Sequence, residues 1–139
     1  MWDEIQAGSY CFMDADYGLN LTETGDYFNT FRNSLFVLST IMSTPTKDRA
    51  VLDAGHKASA IDSGLPRVVD LPDVEFVGAS DEHGTLALGR NAPAVSLGQK
   101  IKLIPGHCDP TVNLHDWYVG VRENGVETMW PVAARGATF

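Results

Sequence analysis

His107 and Asp109 lie two residues apart in the stretch Pro105-Gly106-His107-Cys108-Asp109-Pro110, just after the apolar run Ile101-Lys102-Leu103-Ile104. In an extended strand alternate side chains share a face, so an imidazole nitrogen and a carboxylate oxygen would point the same way. Such a pair is a two-pronged fork for a divalent ion, with the remaining positions open to water or substrate, and it suits zinc or manganese. The same alternation sends Cys108 to the opposite side, where it reads as a buried structural thiol. Pro105 and Pro110 bracket the segment, limit a regular ladder and favour an exposed edge that a ligand can approach. The pair has a second reading without any metal: a histidine hydrogen-bonded to a neighbouring carboxylate in a turn.

Strands must position these residues. At 139 residues, 44% apolar and 20% charged, the chain suits one domain, residues 1–139, with a core of its own. Alternation predicts a first strand over Ile5–Asp14, and the Gly-, Asn- and Thr-rich stretch from Asp16 to Asn33 reads as a loop or short helical turn pinned by Tyr17, Tyr27, Phe28 and Phe31. A β-rich run from Ser34 to Pro45 returns as a hairpin through Arg49–Asp53. Further strands are predicted at Val74–Gly78, Thr85–Leu88, Gln99–Ile104, Trp117–Arg122 and Val126–Trp130. Glu123-Asn124-Gly125 marks a tight turn between the last two, because Asn-Gly adopts positive φ readily. Short strands at regular spacing with almost no helical periodicity define an all-β class: a barrel-like or sandwich domain of antiparallel strands with short helical turns.

The formal charge of -8 and the absence of a Lys/Arg cluster argue against nucleic acid or an anionic membrane as partner. No apolar run approaches the ~18 residues of a membrane span. The opening Met1-Trp2-Asp3-Glu4 carries acids where a secretory leader carries bases, so a cytoplasmic location is expected. Cys11 and Cys108, far apart in a chain that needs no stapling, are expected as two buried or free thiols rather than a disulfide.

The phrase PGHCDPTVNLHDWYVGV, with DAGHKA, AIDSGLP, SDEHGTLAL and MWPVAARG in that family's order, resembles the C-terminal β-domain of the D-threonine aldolase and D-serine dehydratase group. These are metal-activated pyridoxal-phosphate enzymes related in fold to alanine racemase. The resemblance implies a partner α/β barrel, outside these residues, that carries the Schiff-base lysine and most phosphate-binding groups, so the chain alone would be an inactive half of a lyase. It places the metal ligands on His107 and Asp109, with manganese, magnesium or zinc as the ion and Asp109 matching the aldolases rather than the dehydratases, which have Cys there and use zinc.

The implied reaction is retro-aldol cleavage of a D-β-hydroxy amino acid to glycine and an aldehyde. Pyridoxal phosphate would serve as electron sink, and the ion would bind the substrate's β-hydroxyl. A homodimer follows from the parent fold. A D-serine dehydratase-like domain, or a free-standing metal-binding or oligomerisation module, are the alternatives.

Of the other polar residues, His83 is a catalytic candidate that reads equally well as a turn histidine. His115 would either orient His107 from a second shell or stabilise a loop with Asp116. Lys57 is expected as a surface or interface cation and not the cofactor lysine. Tyr10 and Trp117 are expected as core or interface aromatics. Asp53, Asp62 and His56 carry no assigned role.

Overall fold

The computed structural model describes residues 3–5 and 7–137. Its centre is a 6-stranded antiparallel sheet made of β1 (Val37–Thr46), β2 (Arg49–Leu52), β3 (Arg67–Val68), β4 (Val74–Ala79), β5 (Gly84–Leu88) and β6 (Lys100–Ile104). The spatial order is β3-β6-β1-β2-β5-β4, and β3 comes back beside β4, so the sheet is nearly closed into a barrel.

Strand β1 makes the curvature possible. Its first half, Val37 to Thr40, pairs with β6, whereas Ile41 to Thr46 pairs with β2 through two register shifts. Such irregularities bend a strand and raise its twist, which lets one strand serve two ribbons. Pro45 sits in this irregular end, where a missing N–H disrupts least.

Alternation then builds the core. Ile41, Ala50, Leu52, Leu86 and Leu103 are completely buried, flanked by Val37, Val74, Phe76 and Ile101, while Leu38, Met42 and Val77 on the same strands face outward. Burying each large side chain contributes about 1.5–3 kcal/mol.

The all-β, barrel-like reading therefore holds, with three local corrections. The strand expected over Ile5–Asp14 is not formed among its described residues, and Gln6 lies outside them. Ser9–Cys11 is a 3-10 turn and Met13 takes a φ of +52°, because the segment's hydrogen bonds are local rather than cross-strand, Cys11 and Phe12 donating N–H to the carbonyls of Gly8 and Ser9. Second, the short strand β3 has no counterpart in the sequence pattern; two residues are too few to show alternation.

Third, the segment after His107 is not extended. It forms a helix, α1 (Cys108–Asn113), with His107 as its N-cap residue. Pro110 occupies the third helical position, where the missing N–H has no intrahelical partner to lose. A proline read as a strand boundary is here a first-turn helix residue.

A separate hairpin of β7 (Trp117–Arg122) and β8 (Gly125–Pro131) follows. Positive φ falls on Glu123 (47°) and Asn124 (69°), one residue earlier than Asn-Gly suggests, because Gly125 already pairs with Arg122 as the first residue of β8.

Candidate metal centre

The sheet ends at Ile104, and the next two peptide units are held from both sides. Ala15 and Asp16 donate their N–H groups to the carbonyls of Pro105 (2.9 Å) and Gly106 (3.2 Å). On the other side Gly106 lies against the carbonyl of Gly64, where a Cβ would overlap it. Only glycine admits that approach, and it brings the loop carrying Asp62 and Ser63 up to His107.

The start of α1 is capped from far along the chain. Asp14 is fully buried, and its two carboxylate oxygens accept the N–H of Tyr17 (2.9 Å) and of Cys108 (2.9 Å). It thereby satisfies the first orphan donor of a six-residue helix that lacks a side-chain cap of its own. At the same helix Thr111 Oγ1 donates to the His107 carbonyl (2.7 Å) and accepts the Ala60 N–H (3.1 Å).

His107 and Asp109 converge, although through a helix start rather than a strand. His107 Nε2 stands 3.6 Å from Asp109 Oδ2, too long for a hydrogen bond. Two donors each about 2.1 Å from one ion, at octahedral to tetrahedral angles, stand about 3.0–3.4 Å apart. A small rotation of the exposed Asp109 side chain closes that difference. The donor set fits a two-ligand fork, and no third His, Cys, Asp or Glu joins it among the described residues.

On its other side the imidazole meets a partner that sequence reasoning left without a role. His107 Nδ1 donates to Asp62 Oδ2 at 2.7 Å, and Ser63 Oγ lies 3.3 Å from both Nδ1 and that oxygen. The hydrogen bond to Asp62 raises the His107 pKa above its ordinary value; burial opposes this, and the charges of Asp62, Asp109 and Asp14 reinforce it. The Asp62 carboxyl is lowered in turn, chiefly by the same bond. Asp62 is 45 positions from His107, so no local spacing could have linked them.

Cys108 is fully buried, and burial first, then Asp109 and Asp14, push its thiol up to about 12. It is the buried thiol that was expected, although not on the opposite side that strand alternation implied, because its Sγ lies 3.6 Å from Asp109 Oδ1; both cysteines are free. His115 is turned away: its Nε2 donates to the Ala58 carbonyl at 2.8 Å, so it ties down a loop, while Asp116 pairs instead with Arg135. His83 lies in the turn before β5 and lines a shallow depression with His56, Asp81 and Glu82. Lys57 forms an exposed pair with Glu82 at 2.9 Å, as a surface cation should.

Beside Asp109 opens a cleft of about 470 Å³ lined by Tyr10, Met13, Tyr17, Phe28 and Phe31. Ring contacts of Phe31 with Tyr10 (5.4 Å between centroids) and Phe28 (6.0 Å) hold its wall. Three of the four aromatics expected to pin the 16–33 loop, Tyr17, Phe28 and Phe31, thus line a concave face next to one of the two candidate ligands, while Tyr27 is exposed outside it. Tyr10 is a wall residue, not a core one, and Trp117 is likewise exposed.

Residues 34–121 match the family model described as "Putative serine dehydratase domain", and the chain belongs to the D-serine dehydratase-like family. It is 48% identical to 3-hydroxy-D-aspartate aldolase of Paracoccus denitrificans, over 100% of this chain and 36% of that protein. The crystal structure of D-threonine aldolase from Filomicrobium marinum superposes with a TM-score of 0.88 at 46% identity, over 99% of this chain and 38% of that one. A cysteine-to-alanine mutant of D-threo-3-hydroxyaspartate dehydratase, described as in the metal-free form, superposes with a TM-score of 0.58 at 26% identity over 69% and 31% of the two chains. The chain thus spans about a third of the length of these relatives.

Proposed function

We propose that this chain is the metal-bearing C-terminal domain of a pyridoxal-phosphate-dependent D-amino-acid lyase, most like D-threonine aldolase. The observation that carries the reading is the convergence of His107 Nε2 and Asp109 Oδ2 on an open face at the start of α1. The aldolase names of the relatives support it, as does the metal-free form recorded for the related dehydratase.

His107 and Asp109 would hold a divalent ion, and the ion when bound supplies Lewis-acid polarisation of the substrate's β-hydroxyl. A carboxylate beside an imidazole admits manganese or magnesium more readily than a thiolate would, which favours aldol cleavage to glycine and an aldehyde over the dehydratase alternative. The aromatic cleft beside Asp109 would seat the substituent on Cβ and keep water from it. Pyridoxal phosphate and its lysine would come from an α/β barrel outside these residues. The exposed apolar side chains of β7 and β8 give that barrel, or a second subunit of a homodimer, a surface to cover. A cytoplasmic setting suits two free thiols.

The test is complementation. The chain alone should show no cleavage of D-threonine. Mixed with a matching barrel domain, pyridoxal phosphate and Mn²⁺, it should release glycine, and His107→Ala or Asp109→Ala should lower the rate by on the order of 100-fold or more, as loss of several kcal/mol of charge stabilisation requires. Equal rates for the wild type and both variants would overturn the assignment.

A further inference from the structure

The two ring nitrogens of His107 face opposite carboxylates. Nδ1 lies 2.7 Å from Asp62 Oδ2, and Nε2 lies 3.6 Å from Asp109 Oδ2. The lone-pair directions of an imidazole diverge across the ring, so Asp62 cannot share an ion with Nε2. A carboxylate so close to Nδ1 instead requires the proton to sit on Nδ1, which leaves Nε2 as a lone-pair donor on the side of Asp109.

Resting on the metal reading above, we propose that Asp62 is a positioning residue for the metal centre: it fixes the tautomer and rotation of His107 so that Nε2 faces the ion. Without it the ring proton is free to move to Nε2. There it would donate to Asp109, and one hydrogen bond would engage both prospective ligands at once.

The surroundings are built to hold this arrangement. Ser63 Oγ donates to Asp62 Oδ2 at 3.3 Å. The Ala60 N–H bonds to Thr111 Oγ1, which in turn bonds to the His107 carbonyl, so the 60–63 loop is tied to α1 by side chain and main chain. Gly106 permits the close approach of Gly64. A surface ion pair without such support would have no reason to be anchored in this way.

The experiment uses the chain with ¹⁵N-labelled histidine at alkaline pH, where His107 is neutral, and reads its tautomer by long-range ¹H–¹⁵N correlation. A parallel Mn²⁺ titration is followed by electron paramagnetic resonance. The wild type should show Nδ1–H. Asp62→Asn keeps an acceptor oxygen and should keep that tautomer. Asp62→Ala leaves Ser63 as a weaker acceptor, so the Asp62→Ala/Ser63→Ala double variant should shift His107 towards Nε2–H and weaken Mn²⁺ binding by about 10–100-fold.

Retention of Nδ1–H together with unchanged Mn²⁺ affinity in the double variant would overturn the inference. A wild-type chain that takes up no Mn²⁺ would overturn the metal reading instead, while the tautomer measurement still decides what Asp62 does to the ring.

Discussion

The six-stranded sheet and the β7–β8 hairpin use the same strand chemistry and bury very different amounts of it. In the first half of β1 and in β2, β4, β5 and β6 alternate side chains go to the interior, with Ile41, Leu52, Leu86 and Leu103 fully enclosed. In β7 and β8 no residue is fully buried, and Trp117, Val119, Val121, Val126, Met129 and Trp130 are all exposed. The Tyr118 ring reaches back to the rest of the chain, 5.8 Å from Phe12. One region is held by its own core. The other leaves its apolar side chains about half exposed, so they contribute far less to stability where they are.

The contrast can be broken most directly by truncation. Leu86→Ala should lower the unfolding free energy by about 2–5 kcal/mol, whereas Val119→Ala on the hairpin should fall within about 0.5 kcal/mol of wild type. Urea denaturation measures both, and a hairpin variant as costly as the core variant would erase the distinction.

A smaller effect tests how the sheet is clamped. Asp53 follows β2 and accepts hydrogen bonds from Ser39 Oγ (2.8 Å) and the Thr40 N–H (2.7 Å) on β1. Burial pushes its carboxyl up, but those bonds, with Lys100 nearby, outweigh burial and hold it below the ordinary value of 3.8. A carboxyl lowered on folding contributes stability that is fully present above that ordinary value and lost as pH falls through the folded-state pKa. Asp53→Ala should therefore cost about 1 kcal/mol at neutral pH, and the gap between variant and wild type should close as the pH is taken below 3.8. Denaturation at a series of pH values checks this, and a gap that widens on acidification would reject the clamp.

The smallest expected effect is on the hairpin turn. Glu123 holds a φ of +47°, a region that Asn occupies at less cost than Glu. Glu123→Asn should stabilise the hairpin by roughly 0.5 kcal/mol, visible as slower amide exchange across the β7–β8 ladder with the six-stranded sheet unaffected.

How far the sequence could be read follows the same division between local and distant causes. Strands β1, β2 and β4 to β8 were legible because their side chains alternate, and alternation is a property of the strand itself. Helix α1 was not, since its six residues are too few to nucleate alone, and its cap is Asp14, 94 positions away. The Ile5–Asp14 stretch alternates well enough for a strand, yet its N–H groups and carbonyls bond within a local turn and to Ser34. The nearness of His107 to Asp109 was expected from strand alternation and arises instead from a helix start. Asp62 was missed because its link to His107 exists only after Gly106 lets two loops touch.

The buried carboxylate of Asp14 has one further consequence. It accepts the peptide N–H groups of Tyr17 and Cys108, so its hold on the corner does not depend on which side chain stands at position 109. Whatever functional group is attached there inherits the same address. A substitution at position 109 would change the functional group offered there without any rebuilding of its frame.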